Sequence, residues 1–432
     1  MSRVNILSLH RMGDPETRRA AVRALEYMLV DYAPECNVIV HDADLPIPEY
    51  IKDLEFHGIV LGPTFLGNRR NKRKFDRTLK EYDFVRQSSA CKIALPQDDY
   101  DCSGILDDWM EAWGIDRVYT VCPSDWDALY PRYSKSGDIR LAYTGYITDD
   151  MIESWKAPRP SRLRSIDVSY RTHDSDHLRC GVRNLKYAIA ARFSRAVAGE
   201  NLKIDISSRR EDLIPGVRWH DFMEDSRFCL AAPSGSSLLD ARGEFRRSVE
   251  YFALKNPGAC FQEVASACFP EDDGKYLFTP ISPRNIEAAM AGTVQIATPG
   301  SYSGLMQPME HYIPLDEDCG NIKEVLEMMD DRELASAIGG ECKELMLGLP
   351  ELRFSNHVAG LVDFIGDYAG ANRIKGASQE VMLAVIDRYQ WEMKSISARQ
   401  HLKLRLIENA KRVAANYGVR HFMHFLSQPK IP

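Results

Sequence analysis

The stretch ISPRNIEAAMAGTVQIA, residues 281–297, predicts a capped helix followed by a buried strand, which is the repeating unit of an α/β fold. Ser282 suits the N-cap and Pro283 the first helical position, so a helix is predicted to begin at Pro283. Gly292 is typical of a helix end, and the apolar run from Val294 to Ala297 is predicted to be a strand. Strands that alternate with helices in this way build parallel sheets.

Predicted strands and helices also alternate earlier in the chain, where the strands form two series. The first series has predicted strands at Val4 to Leu9, Asn37 to His41, Gly58 to Leu61, Lys92 to Leu95, Arg117 to Val121 and Arg140 to Tyr143. The second has predicted strands at Ser165 to Tyr170, Leu202 to Ile206, Phe228 to Ala231 and Tyr276 to Phe278, with a helix from Gly181 to Val197.

A segment rich in Pro and Arg, KAPRPSRLR at residues 156–164, separates the two series and is predicted to be a linker. We therefore predict an α/β protein with two Rossmann-like domains, residues 1–157 and 158–370. Residues 371–432 contain further helical patterns and are predicted to pack back on the N-terminal domain.

Composition and charge narrow the class of protein. The chain has 432 residues, of which 44% are hydrophobic and 27% charged, as is typical of folded globular proteins. No apolar run reaches the roughly 18–20 residues of a membrane span, and the N-terminus lacks signal-peptide features, so a cytoplasmic protein is predicted. The net charge of -7 argues against a general nucleic-acid binder. Ten cysteines without a C-x-x-C pair are predicted to be reduced thiols.

The first turn of the helix at Pro283 carries side chains suited to a nucleotide. Arg284 and Glu287 lie three residues apart and therefore on one face. The free N–H groups and dipole of a helix N-terminus suit a diphosphate, and Arg284 adds a forked donor for phosphate oxygens. The carboxylate of Glu287 can accept hydrogen bonds from ribose hydroxyls.

On these residues the chain resembles bacterial glycosyltransferases of the GT-B superfamily, group 1 or exostosin-like, whose C-terminal domain carries a Glu-Ala, small residue, Gly and apolar strand signature. The match is best over residues 165–326. The resemblance implies a metal-independent, nucleotide-sugar-dependent enzyme with two Rossmann-like domains facing a cleft and C-terminal helices packing back across them. It also implies that Glu287 holds the donor ribose. A second glutamate, usual eight positions earlier, is replaced here by Thr279.

Further donor-binding residues follow from the same resemblance. Arg171 follows the first strand of the second domain, where the family places an arginine on the diphosphate, and Arg209 follows the next strand. Ser234 and Gly235 belong to a loop of small residues that lets a nucleotide approach the backbone. Ser282 is included as the residue at the helix start. Surface ion pairs and an ordinary loop are the plainer interpretations of these residues.

A catalytic base is needed only if the transfer inverts the configuration of the sugar. The candidates are His10 after the first strand and Asp98 after the fourth, with Asp99 beside it, because these loops belong to the carboxyl edge of the first sheet. No metal ligands and no cofactor apart from the donor substrate are predicted.

One segment of the first domain carries an excess of positive charge. It contains Arg69, Arg70, Lys72, Arg73 and Lys74, followed by Arg77 and Lys80. A solvated helix face is one interpretation. Peripheral contact with an anionic membrane, or with a phosphorylated acceptor, is the other.

The leading hypothesis from the sequence is a glycosyltransferase that acts on a glycan or lipid-linked acceptor in cell-surface polysaccharide or lipopolysaccharide biosynthesis, at the inner face of the cytoplasmic membrane. Two alternatives stay open. One is a nucleotide-sugar epimerase of the same fold, and the other is a non-catalytic GT-B-like binding module.

Overall fold

The computed structural model describes residues 3–13, 20–172, 177–214, 216 and 218–396. Residues 4–376 form one compact unit that contains both sheets, and the described residues from 377 onward belong to a second unit. In this second unit residues 379–396 are helical, as the sequence predicts for the segment around Val381. The second predicted C-terminal helix, around Leu402, lies outside the described residues.

The first sheet has six parallel strands in the order β2-β1-β3-β4-β5-β6. Three central strands, β1, β3 and β4, are buried along their whole length, as is usual where helices cover both faces of a parallel sheet. The strands are β1 (Asn5–His10), β2 (Asn37–Asp42), β3 (Gly58–Leu61), β4 (Cys91–Ala94), β5 (Arg117–Thr120) and β6 (Asp138–Leu141).

The second sheet has five parallel strands in the order β11-β10-β9-β7-β8. They are β7 (Ile166–Arg171), β8 (Ile204–Ser207), β9 (Ser226–Ala231), β10 (Val294–Ala297) and β11 (Ile313–Pro314).

Sixteen α-helices connect and cover the strands in residues 20–371, within the described part of that range. Those of the first half are α1 (Ala20–Tyr32), α2 (Glu49–Lys52), α3 (Pro63–Gly67), α4 (Lys72–Glu81), α5 (Asp83–Gln87), α6 (Ser103–Trp113), α7 (Trp126–Leu129) and α8 (Asp149–Ser154). Those of the second half are α9 (Gly181–Ala196), α10 (Arg218–Glu224), α11 (Glu244–Lys255), α12 (Phe261–Cys268), α13 (Pro283–Ala291), α14 (Ile322–Asp330), α15 (Arg332–Gly348) and α16 (Phe354–Ala371).

The two sheets confirm the predicted fold class of two Rossmann-like α/β domains. Helix α13 and strand β10 have the bounds predicted from the sequence. The predicted strand Tyr276 to Phe278 is wrong, because Phe278 forms only an isolated antiparallel bridge with Ser236 in the loop after β9. The two-residue strand β11 was not predicted, since so short a run has no periodicity.

The chain returns from the second sheet to the first through α16. Helix α15 packs on β10 and α13, whereas α16 packs on α1 and β4. A Cβ atom added to Gly58 in β3 would lie 2.7 Å from Cδ1 of Ile365 in α16, so glycine permits this close approach. Helix α16 thus packs back on the first half of the chain, and the predicted packing of residues 371–432 on the N-terminal domain stays a prediction.

One hydrophobic cluster extends through both halves. It contains Val60 and Ile93 of the first sheet, Ala288 and Ala297 of the second half, and Ile365 of α16. The loops at the carboxyl ends of the two sheets also share backbone hydrogen bonds, as in the bond from Cys102 N to Asp240 O at 2.6 Å. The carboxyl edges of the two sheets therefore meet.

The predicted linker is fixed to the second half by Arg164. This buried side chain donates hydrogen bonds to Ala291 O at 2.7 Å, Ser226 O at 2.8 Å and Thr293 Oγ1 at 2.8 Å. Ala291 is the last residue of α13, whose terminal carbonyls have no partner within the helix. The linker thereby caps the end of the helix that begins at the candidate site.

Candidate active site

The start of α13 lies where the two halves of the chain meet. Ser282 is the N-cap and Pro283 the first helical residue, as predicted. The amide and hydroxyl of Ser282 donate to Asn285 Oδ1 at 3.0 and 2.6 Å, so this serine holds the helix start. Thr144, in the loop after β6 of the first sheet, donates its hydroxyl to Ile281 O at 2.7 Å.

Arg284 and Glu287 project from the first turn of α13 toward aromatic side chains. Arg284 donates a hydrogen bond to the backbone oxygen of Arg171, the last residue of β7, and its guanidinium carbon lies 4.7 Å from the ring centre of Tyr170. Glu287 accepts a hydrogen bond at Oε2 from Trp219 Nε1 at 2.7 Å. A cation and a carboxylate therefore stand together at the carboxyl end of β7.

The environment of Glu287 favours a hydrogen-bond donor as ligand. Burial raises the pKa of Glu287, and the hydrogen bond from Trp219 and the charges of His220 and Arg284 offset only part of this effect. No described residue other than Trp219 donates a hydrogen bond to its carboxyl group. Ribose hydroxyls bound at Oε1 would stabilise the ionised form.

Two predicted donor-binding arginines contact protein groups instead of an open site. Arg171 donates from Nε to Asp212 O at 3.1 Å and from Nη2 to Asp205 Oδ1 at 2.7 Å. Arg209 has 69% of its side chain exposed and lies 2.7 Å from Asp212 Oδ2. Their contact with a diphosphate stays a prediction without support from this geometry.

The loop after β9 is held by two cations of α9. Ser234 Oγ accepts a hydrogen bond from Lys186 Nζ at 2.7 Å, and Gly235 O accepts one from Arg183 Nε at 3.3 Å. Ser234 and Gly235 are predicted from the sequence, whereas Arg183 and Lys186 are not. The signal for them is a pair of cations three residues apart in the first two turns of the helix after the domain's first strand.

Gly235 is required by a close backbone approach. Its φ is +101°, and an added Cβ would lie 1.9 Å from the carbonyl oxygen of Phe278. That oxygen also accepts the amide hydrogen bond of Ser236 at 3.0 Å. The glycine thus fits the bridge between this loop and the segment leading to α13.

We expect Gly235→Ala to lower the free energy of unfolding by roughly 2–5 kcal/mol, because left-handed backbone strain adds to the steric overlap. Gly258→Ala is the matched control, since Gly258 has φ +89° but no atom within 4 Å of an added Cβ. Thermal unfolding of both variants checks the prediction. Equal losses of stability would show that the approach to Phe278 is not limiting.

The ends of β7 and β9 are the switch point of the second sheet. From β7 the chain passes to β8 on one side and then to β9 on the other, and open α/β sheets bind ligands where the order reverses. Arg183 and Lys186 contact the loop after β9, and Arg284 contacts the last residue of β7. Tyr170 joins them, because its hydroxyl donates to Lys186 O at 2.8 Å and its ring contacts Arg284. Such a group of cations suits a multiply charged anion.

Asp98 is a half-exposed carboxylate at the carboxyl edge of the first sheet. It has φ +51°, a rare conformation for a non-glycine residue that often marks functional sites. Half of its side chain is exposed, and it accepts hydrogen bonds from Arg70 Nη2 at 2.8 Å and Tyr100 OH at 2.6 Å. Burial alone would raise the pKa of Asp98, but the charges of Arg70 and Arg183 hold it well below its usual range. The group is therefore an ionised acceptor at neutral pH.

His10 is less suited to act as a base. The ring is buried, and its Nδ1 accepts a hydrogen bond from Met12 N at 3.2 Å, so the proton of the neutral ring lies on Nε2. Burial lowers the pKa of His10 to about 4, although the charge of Asp44 acts in the opposite direction. The ring has no unused lone pair for a substrate proton in this arrangement. Asp98 is the more accessible of the two candidates because half of its side chain is exposed, but Arg70 and Arg183 weaken it as a base by lowering its pKa.

Asp101, in the first half of the chain, lies close to Arg183 of the second half as well as to Arg70 of its own half. Its Oδ2 lies 3.4 Å from Arg70 Nε and 3.5 Å from Arg183 Nη2. Since Arg183 also contacts Gly235, one side chain touches both the loop after β4 and the loop after β9. The groups suited to an anion and the exposed carboxylate Asp98 thus belong to one continuous cluster.

The basic segment of the first half is not a uniform surface. Arg69 is fully buried and donates to the backbone oxygens of Leu66, Gln97, Asp98 and Asp101. Its predicted contact with a membrane is therefore wrong, because the side chain is enclosed by the loops after β3 and β4. Arg70 is mostly buried and paired with carboxylates, whereas Lys72, Arg73 and Lys74 are exposed on α4.

All ten cysteines lie in the described part of the chain, and none forms a disulfide there. No group of three or more potential metal ligands occurs among the described residues. Within the same residues, no helix combines the length and apolar character that crossing a membrane requires.

No protein-family model and no curated protein sequence matches the chain. Among solved structures, the chain is similar to an α-glucosyltransferase in complex with UDP and a 13-mer DNA containing an HMU base. The TM-score is 0.48 and the identity 10%, with 84% of this chain and 99% of the other covered.

Two other solved structures show a similar degree of likeness. T4 phage β-glucosyltransferase in complex with UDP-glucose has a TM-score of 0.44 and 11% identity, covering 86% of this chain and 100% of the other. Sucrose-phosphate synthase from Thermosynechococcus elongatus has a TM-score of 0.40 and 14% identity, covering 85% and 100%. Scores and identities at this level do not assign an activity to the chain.

Proposed function

We propose that this protein is a glycosyltransferase that moves a sugar from a nucleotide-sugar donor to a glycan or lipid-linked acceptor. The observation that carries the proposal is that cations contact the ends of two neighbouring strands. Arg183 and Lys186 contact the loop after β9, and Arg284 contacts the last residue of β7. Glu287, held by Trp219, lies on the same helix as Arg284. Cations at the switch point of a parallel sheet suit a diphosphate. A carboxylate one helical turn away suits the ribose attached to it.

The donor diphosphate lies between the two cations of α9 and Arg284, with the positive end of the α13 dipole adding to their effect. Ribose hydroxyls donate to Oε1 of Glu287, whose Oε2 is held by Trp219. The indole therefore fixes the carboxylate in one orientation before the donor binds. This arrangement lowers the entropy cost of recognising the nucleotide.

In the transfer step, the acceptor oxygen forms a bond to the anomeric carbon while the bond from that carbon to the diphosphate oxygen breaks. Asp98 takes the proton of the acceptor hydroxyl, and the nucleoside diphosphate leaves. Arg183, Lys186 and Arg284 stabilise the negative charge that develops on the leaving group. A metal ion is not required where side-chain cations fill this role.

The finer parts of the proposal rest on the resemblance seen in the sequence. They are an acceptor from cell-surface polysaccharide or lipopolysaccharide biosynthesis and a location in the cytoplasm. The net charge of -7 favours a non-nucleic-acid acceptor.

The test is titration of the protein with UDP, GDP and ADP, followed by product analysis with the corresponding nucleotide sugars. We expect Arg284→Ala to weaken binding of the preferred nucleotide about 10- to 100-fold, as for loss of a charged hydrogen bond. Glu287→Ala is expected to weaken binding of the nucleotide more than that of pyrophosphate, because the carboxylate contacts only the ribose.

Arg227→Ala is the matched control for Arg284→Ala. Arg227 lies near the amino end of β9 and pairs with Asp167, away from the carboxyl edge. Absence of any nucleotide binding to the wild-type protein would sink the proposal. Release of an epimerised nucleotide sugar without acceptor would replace transfer by epimerisation.

A further inference from the structure

A cavity of about 560 Å³ opens among the loops at the carboxyl edge of the first sheet. Ligand sites commonly have volumes of roughly 300–1,000 Å³. The lining comes from the loops after β1, β2, β3 and β4 and from one face of α4. Its charged lining residues are Arg11, Asp44, Arg70, Lys74, Arg77 and Asp98.

The cavity carries an excess of positive charge. Arg11 pairs with Asp44 at 2.8 Å, and Arg70 pairs with Asp98 at 2.8 Å, so both carboxylates are matched by an arginine. Lys74 and Arg77 have no carboxylate partner among the described residues, and both side chains are exposed. They lie three residues apart and therefore on the same face of α4. The lining therefore carries two positive charges, on Lys74 and Arg77, that its carboxylates do not neutralise.

We propose that this cavity binds the acceptor and that the acceptor carries a phosphate group held by Lys74 and Arg77. The inference rests on the proposed transferase function and specifies its second substrate. A phosphate ester carries a charge of about -1.5 to -2 near neutral pH, which matches the excess of the lining. Lysine supplies a point charge and arginine a forked donor, and both are common phosphate ligands.

The remaining lining groups suit a sugar attached to that phosphate. Asn68, Gln97 and Thr64 offer neutral donors and acceptors for hydroxyl groups. Asp98 lines the same cavity, so an acceptor anchored by its phosphate presents a hydroxyl to the carboxylate that takes the proton. The phosphate contact therefore serves to position the acceptor as well as to bind it.

The arrangement on α4 argues for a cavity ligand over a flat membrane surface. Arg73 and Lys80 are exposed on the same helix but do not line the cavity. A bilayer surface would attract every exposed cation of α4. A ligand inside the cavity contacts only Lys74 and Arg77. The two pairs thus provide variants that each remove two positive charges from one helix.

The experiment compares Lys74→Ala/Arg77→Ala with Arg73→Ala/Lys80→Ala. Binding of glucose 6-phosphate, inorganic pyrophosphate and glucose is titrated for each, in the wild-type and Arg284→Ala backgrounds. The second background weakens phosphate binding at the donor site, so that binding in the cavity can be told apart from it. We expect the first pair to lose affinity for glucose 6-phosphate at least about tenfold and the second pair to keep it. Unphosphorylated glucose should bind more weakly throughout.

Three results would overturn the proposal. The first is no saturable binding of glucose 6-phosphate in the Arg284→Ala background. The second is an equal loss in both double variants. The third is binding to phosphatidylcholine vesicles containing phosphatidylglycerol that both pairs support equally, which would make α4 a membrane surface. Titration with UDP in the same variants keeps the donor site separate, because failure of the cavity leaves nucleotide binding intact.

Discussion

Replacing Asp98 by Asn is expected to lower kcat about 100- to 10,000-fold, the range found for loss of a general base. The affinity for nucleoside diphosphate should not fall, because the change removes a negative charge that interacts with Arg183 and leaves the donor-binding cations in place. The amide keeps the size of the carboxylate but has only one acceptor oxygen, whereas Arg70 donates to Oδ2 and Tyr100 to Oδ1 of Asp98. With the amide oxygen toward Arg70, the NH2 group can donate to the hydroxyl of Tyr100 instead. Steady-state kinetics with the donor found in the nucleotide-sugar panel checks the prediction.

Asp99→Asn is the matched control for this variant. Asp99 is fully buried and accepts hydrogen bonds from Thr120 Oγ1 at 2.5 Å and Tyr130 OH at 2.8 Å. Burial raises its pKa to about 6, although those hydrogen bonds and the charge of Arg69 act in the opposite direction. The substitution should reduce stability with little effect on kcat. Equal kinetic losses in both variants would indicate that the loop's shape, and not the Asp98 carboxylate, is responsible.

The bounds of α13 depend on residues at its own ends. Which arginines face the site depends instead on contacts between residues that are distant in the sequence. Ser282, Pro283 and Gly292 specify the ends of one helix by their own conformational preferences, so the bounds of α13 could be predicted. The partners of Arg171 are Asp205 and Asp212, which lie 34 and 41 residues away in the sequence. No periodicity reveals such pairing.

The same limit explains the basic segment. A run of cations in a sequence resembles a solvated surface because each residue is considered without its three-dimensional neighbours. Residues 68–70 form a short 3-10 helix that directs Arg69 inward and leaves the cations of α4 outside. Exposure within this run therefore depends on the turn between α3 and α4. The sequence indicates the charge of the segment but not which of its charged side chains are exposed.

Arg69→Met is expected to lower the free energy of unfolding by about 3–5 kcal/mol, because the change leaves several buried carbonyl oxygens without donors. The guanidinium donates to Asp101 O at 2.8 Å, Gln97 O at 2.8 Å and Asp98 O at 2.6 Å. Methionine fills a comparable volume, so the loss reflects hydrogen bonds more than packing. The unfolding temperature of the unit formed by residues 4–376 should fall by roughly 4–10 °C.

Arg73→Met is the control that distinguishes the loss of the buried hydrogen bonds of Arg69 from the loss of one positive charge. Arg73 is exposed on α4, so its replacement should change the unfolding temperature little. Because Arg69 binds the backbone of Asp98, Arg69→Met should also reduce kcat in the protein that stays folded. Unfolding of Arg69→Met at the wild-type temperature would mean that the side chain lies at the surface. The proposed base, Asp98, would then be held in place by Arg70 and Tyr100 alone.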